Sequence, residues 1–439
     1  MGSSHLDSLA VELQLKVLYQ SSSLQSLYNL IRASPRYFQV FLPSKEAILN
    51  HVIRRVVGQE VFYDAVFLAE ALHLSPKGLD HKSARSLMRE YVQDAATFSY
   101  DSALSPPTLY YLCRLHPIIE FHLEKFRNSA LDSLMDCAQA VGTKPTTKPF
   151  QLKEEHFEID RLPTSTVETV RLRRALYRTE LYGFLFYLRP SFGAQTQRLT
   201  SNDQEGMFLA AFSPWEVEEM ACIWFYFQSH LGECFDRVED NFVRLVQDHG
   251  PSSGYSKMDE NHEKLEALMK QEKKKVNYDH GIASVSKPPQ SEMESFLNVR
   301  GPHRFFTCAG KSHGHEDLME ILFSLGLSFL RDLFEADDQQ QMRMVLDNAE
   351  RSPQYTFVNA YNIYNTNIAT TISQWPQARD YDPDPDSFIQ PGAGYHWARK
   401  AFDCEMGSFP CRHRGGLRSL GYVFWDKARL DASGIFGHP

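Results

Sequence analysis

Long apolar runs are missing from this 439-residue chain. The most apolar stretch, Leu318 to Phe334, carries Glu320, Arg331 and Asp332, and it is shorter than the roughly 20 residues a bilayer-spanning helix needs. No membrane span is expected. There is no excess of positive charge either: a formal net charge of -9 and a pI of about 6.0 argue against bulk capture of nucleic acid or of an anionic membrane. Cysteine is sparse and unpatterned. Cys113, Cys137, Cys222, Cys234, Cys308, Cys404 and Cys411 are an odd, scattered set, which reads as reduced thiols and points to a cytoplasmic or nuclear compartment. The opening MGSSHLDSLAVELQ has no basic region followed by an apolar core, so no secretory signal is expected. Leu6 stands where an N-myristoylation signal carries serine or threonine.

The common catalytic signatures are missing too. There is no G-x-x-x-x-G-K-[ST], H-E-x-x-H or G-x-S-x-G, and no G-x-G-x-x-G after a strand. Gly392 and Gly394 flank one alanine in a proline-rich loop with no helix start suited to a pyrophosphate. Cys308, His313 and His315, and again Cys404, Cys411 and His413, are of zinc-ligand type. Neither group has the C-x-x-C knuckle that holds two thiolates on one turn. Asp382, Asp384 and Asp386 alternate like a calcium loop, but prolines separate them and the glycine and distal glutamate are absent. No enzyme activity, metal or cofactor is expected.

What the chain does have is helix signals. Hydrophobic residues make up 43% of it, enough for a sizeable core. Leu9, Leu13 and Val17, then Leu24, Leu27 and Ile31, recur at helical spacing. Ser34-Pro35 starts a third helix, with serine placed to cap and proline at the first helical position, where its missing donor costs nothing. Ser44 to Val57 carries two adjacent stripes and should lie sandwiched between these helices and the helices C-terminal to it. Helices are expected over Val61–Leu74 and Ser83–Phe98, with a turn at residues 75–78. Another starts at Ser105-Pro106 and is kinked near His116 by Pro117, with His116 a hydrogen-bonded core residue. Ser165 with Glu168 and Ser213 with Glu216 form capping-box patterns. Arg171, Arg173, Arg174 and Arg178 share no single helix face and read as a solvated surface with some salt bridges to neighbouring carboxylates rather than as a phosphate-binding set. Trp224 to Phe227 reads as core rather than a base-stacking platform. Leu318, Leu322, Leu325, Phe329 and Leu333 form one helical face, a short helix is expected around Trp397–Phe402, and GYVFW reads as a buried extended segment. Between Tyr355 and Ile372, helix and extended chain both remain open. Residues 141–163 read as a surface loop and 249–292 as a flexible insertion.

The first three helices, with LAVEL at Leu9–Leu13 and SPRYF at Ser34–Phe38, resemble a divergent F-box. The phrases RRALYRTELYGFLF, FSPWEVEEMACIWFYF and LRSLGYVFWDKARL are similar to segments of fungal F-box-like proteins. The family's opening Leu-Pro-x-Glu-Leu has alanine here at Ala10, and its tryptophan after the second helix is absent. The resemblance implies an all-α protein: an F-box-like element at residues 1–57 packed on a large irregular helical body at 58–439. It further implies a substrate receptor of a cullin-based ubiquitin ligase, which binds the adaptor subunit through Leu9, Glu12, Leu13, Val17, Leu24 and Leu27 and a target protein through the body. The residues leave a second reading open, a helical interaction protein in which the same helices are only a structural cap.

Overall fold

Serine and threonine caps set where the main helices begin. A computed structural model describes residues 8–74, 79, 81–95, 97–142, 162–186, 199–249, 319–320, 322–348, 357–371, 392–401 and 416–433. Among these residues no strand occurs, and none of the helices is long and apolar enough to cross a membrane. The cysteine and histidine groups near 308 and 404, the aspartates at 382–386, the turn at 75–78, and almost all of the insertion 249–292 and of the loop 141–163 lie outside the described residues.

The chain divides into two compact units, one of residues 1–224 with 358–439 and one of residues 225–357. The first unit opens with α1 (Val11–Tyr19), α2 (Leu24–Ala33), α3 (Pro35–Phe41) and α4 (Lys45–Val57). Ile48, Val52, Ile53 and Val57 of α4 are buried. The helix is sandwiched as its double stripe requires, with α1 and α2 against it and α5 (Gln59–Leu74) and α7 (Pro106–Gly142) beyond. After α5 comes α6 (His81–Asp94). Helix α7 runs unbroken through Pro117. Ser105 Oγ accepts a hydrogen bond from the Thr108 amide at its start.

The centre of this unit is α8 (Thr166–Phe186), packed on α5 and α7. Its capping box is present in full: Glu168 N donates to Ser165 Oγ and Ser165 N to Glu168 Oε2, both at 3.0 Å. Next is α9 (Ser201–Met207), itself boxed by Thr200 and Asp203, and then a 3-10 turn at Leu209–Ala211. Helix α10 (Pro214–His249) starts where Ser213 N donates to Glu216 Oε2 and passes Gly232 without interruption.

In the second unit, Tyr226, Phe227, Leu231 and Phe235 of α10 are buried core side chains. The Phe227 ring lies 5.7 Å from that of Phe323 and 6.2 Å from that of Phe334. The face expected to run from Leu318 to Leu333 is broken. Gly326 adopts φ +87°, a conformation a side chain resists, and a new helix, α11 (Leu327–Glu335), buries Leu327 and Leu330 beside Leu333 of the expected face; Leu322 is buried too, while Leu325 and Phe329 are only half-buried. Asp337 caps α12 (Asp338–Leu346) by accepting from the Gln340 amide at 2.8 Å.

The chain then forms α13 (Phe357–Thr371), which resolves the open segment as helix, α14 (Ala393–Ala401) and α15 (Lys427–Ser433). The GYVFW segment is buried as expected but is not extended. Gly421 at φ +60° lets it turn repeatedly, and Tyr422, Val423, Phe424 and Trp425 are fully enclosed. Trp425 Nε1 donates to the Leu420 carbonyl at 2.6 Å, satisfying the indole inside the core.

Candidate functional site

The opening helices are short, so their termini need partners. Ser23 Oγ accepts from the Ser26 amide at 3.0 Å, which starts α2. Ser34 acts twice: its amide donates to the Leu30 carbonyl at the end of α2, and its Oγ accepts from the Tyr37 amide at the start of α3. At the end of α1, Arg55 donates to the carbonyls of Tyr19 and Ser21. These contacts fold α1 to α4 around a core of Leu18, Leu27, Tyr37, Phe41, Ile48 and Val52.

The inward line of α1 is Gln14 and Leu18, both fully buried, rather than the stripe Leu9, Leu13 and Val17. That stripe sits on the flank: Leu13 is 46% exposed, and Leu9 and Val17 are half-buried. Glu12 is exposed and Leu24 half-buried, whereas Leu27 is buried in the core and presents nothing to a partner. The periodicity found the helix but chose the neighbouring line, because the true inward line includes a glutamine.

Val11 and Tyr28, which the spacing did not single out, and Phe38 and Leu42, which it places with Tyr37 and Phe41 on the apolar face of the third helix, are each nearly half exposed like Leu13. Five large apolar side chains thus face outward from residues 11–42, although the element already has a closed core. Exposed apolar side chains gathered on one small element are the usual material of a protein–protein contact.

The arginines of α8 make the salt bridges expected of them, but not on a solvated surface. Arg171 and Arg174 are buried, Arg173 and Arg178 half-buried, and each meets a carboxylate. Arg171 Nη1 lies 3.0 Å from Asp426 Oδ1, and Arg173 Nε 2.6 Å from Glu120 Oε1. Arg174 Nη2 lies 2.7 Å from Glu219 Oε1, while Arg178 bridges Asp64 and Glu216 at 3.2 and 2.8 Å. Tyr91 also donates to Asp64. Burial alone would push the Glu216 carboxyl up; Arg178 and Arg174 overcome it and hold the group at about 2. A second cluster joins Arg418 to Glu218 at 2.8 Å, with the Tyr361 hydroxyl donating to the same carboxylate at 2.6 Å. Arginines that do not share a face can all be paired because carboxylates arrive from α5, α7, α10 and the 416–433 segment. Carboxylates engaged in this way hold elements together.

His116 is the core histidine expected, its Nδ1 3.0 Å from the Tyr177 hydroxyl. Burial pushes its pKa down to about 4; Glu120 opposes that shift and Arg173 adds to it. Gly392 and Gly394 are explained by packing: a β-carbon at either would meet the Val423 or Tyr422 carbonyl oxygen at 2.6 or 1.8 Å. Among the described residues, no group of three or more His, Cys, Asp or Glu is placed to hold a metal ion. Compared with protein-family models, with curated proteins and with solved structures, the chain matches none, so the reading of the site rests on its own residues.

Proposed function

We propose that this chain is a non-enzymatic interaction protein whose first three helices dock on the adaptor subunit of a cullin-based ubiquitin ligase while the helical body holds a target protein. The supporting observation is the outward-facing set Val11, Leu13, Tyr28, Phe38 and Leu42 on an element whose own core is complete. The resemblance of Leu9–Leu13 and of the following helices to an F-box supplies the identity of the partner. Leu13 and Val17, with Leu9, Glu12 and Leu24 beside them, make the contact; Leu27 supports it from within.

The test is binding of the full chain to a purified adaptor–cullin pair, compared with Leu13→Asp and Phe38→Asp variants, with circular dichroism of each. The expected result is binding by the full chain, loss of it in both variants, and unchanged helicity. No binding by a folded full chain overturns the ligase reading. It would favour the second one, in which the element is a cap, consistent with the packing of α2 and α4 on α7 and with the missing proline and tryptophan. A lost aromatic anchor alone removes about 2 kcal/mol, roughly thirtyfold in affinity.

A further inference from the structure

We infer that the groove between α6 and α9 is a docking site for a short partner segment carrying an acidic residue beside aliphatic ones. One wall is the face of α6 presenting Arg85, Met88, Arg89, Val92 and Gln93, positions that recur at one-turn spacing. The other is Gly206 and Met207 with the 3-10 turn residues Ala210 and Ala211. The groove is open to solvent and has a volume of about 360 Å³, near the lower end of the roughly 300–1,000 Å³ spanned by ligand pockets. That suits a few side chains rather than a large cofactor. Its floor is small residues and two methionines, whose flexible thioethers adapt to varied apolar shapes. A β-carbon at Gly206 would meet nothing within 4 Å, so this wall is open. Val92 is 53% exposed on the rim.

Charge selects the partner. Arg85 is paired with Asp203 at 3.2 Å, and the other carboxylate oxygen of Asp203 is taken by the amide and hydroxyl of Thr200. Arg89 is exposed and has no ion-pair partner among the described residues. The nearest acidic residue on α6, Glu90, accepts from Ser86 one turn away. In a chain of net charge -9, the groove therefore keeps one uncompensated guanidinium above an apolar floor. A single free arginine matches a carboxylate; recognition of a phosphate group uses a cluster. An apolar anchor in the groove with a carboxylate on Arg89 is the short-peptide mode of recognition.

The experiment is selection of a random displayed-peptide library on the full chain, followed by fluorescence polarisation with the enriched peptides. Enriched sequences should carry aspartate or glutamate close to leucine, isoleucine or methionine. Arg89→Glu and Val92→Asp, both at exposed positions, should weaken binding about tenfold or more. Gly206→Phe should fill the groove and abolish it, and raising the salt concentration should weaken it. Circular dichroism of each variant verifies folding. The proposal is overturned by failure to enrich any peptide, by enrichment without the acidic and aliphatic pair, or by binding indifferent to Arg89 and Val92. Concentration-dependent self-association lost in the same variants would also overturn it, by assigning the groove to a second copy. Leu13→Asp should leave peptide binding intact, so this site and the adaptor contact can fail separately.

Discussion

Removing the carboxylate of Glu168 should be among the most damaging single changes in the first unit. Glu168 is 1% exposed and Arg429 2%. Oε1 accepts from the Asp426 amide and from Arg429 Nε, each at 3.0 Å; Oε2 accepts from the Ser165 amide at 3.0 Å and from Arg429 Nη2 at 2.8 Å. Glu168→Ala deletes four acceptor contacts and leaves the buried Arg429 guanidinium, which also meets the Leu162 and Pro163 carbonyls and the Trp425 ring, without this carboxylate. Breaking a buried ion pair by removing one partner costs about 3–5 kcal/mol. At about 2 °C per kcal/mol for a large unit, the melting midpoint should fall by about 6–10 °C. Arg429→Met should cost a similar amount. The double variant Glu168→Leu with Arg429→Met should recover most of the loss, since two apolar side chains leave no uncompensated charge. Calorimetry of the unaltered protein, Glu168→Leu, Arg429→Met and their double variant gives the cycle, and hydrogen exchange assigns the loss to α8 and residues 416–433. A single-variant cost below about 1 kcal/mol, or a double variant no better than either single, would refute the reasoning.

Four further outcomes are expected. Because burial holds His116 down at about 4, the unfolded chain binds a proton between pH 6.5 and 4 that the folded chain refuses. Its contribution is whole above pH 6.5 and falls by about 3 kcal/mol as the pH drops to 4; His116→Gln should flatten that part of a urea-midpoint profile. Gly394→Ala should destabilise by about 1–3 kcal/mol because its β-carbon would strike the Tyr422 carbonyl, whereas Gly206→Ala in open helix should stabilise by about 0.5–1 kcal/mol, both read from denaturant midpoints. Ser34→Ala should cost about 1 kcal/mol by the same measure, since it removes the cap of α3. Leu27→Ala should cost about 2–5 kcal/mol and Leu13→Ala less than about 0.5, a contrast that separates core from surface on one element.

What was legible in the sequence was local. Capping needs residues three apart, so Ser34-Pro35 and Ser165 with Glu168 could be read directly and stand in the structure, while of the box at Ser213 and Glu216 the half in which the carboxylate holds the Ser213 amide is formed. His116 was legible because it sits on the apolar line of α7. What escaped depended on remote partners. Nothing near Arg174 announces Glu219, and nothing near Arg171 announces Asp426, 255 positions away. The break at Gly326 was hidden because leucines on both sides keep helical spacing while the backbone turns between them. Gly392 and Gly394 drew attention for the wrong reason: their small size admits the Tyr422–Val423 backbone rather than a phosphate. On the docking face, helical spacing named Leu13 and Val17 and put Phe38 and Leu42 on the apolar face of the third helix with Tyr37 and Phe41, but over seven residues it could not tell which of these four turn inward.

The burial of the turn at Gly421–Trp425 beside α8 bears on how the chain is made. Glu218 leaves the ribosome 200 residues ahead of Arg418, and Glu168 emerges 261 residues ahead of Arg429. At about 5–20 residues per second, these carboxylates wait roughly 10–50 s for their guanidiniums. Until then the groove that receives Phe424 and Trp425 is open, its apolar lining offered to whatever is nearby. Nascent chains halted before residue 416 should therefore recruit chaperones, and release once the last turn has entered.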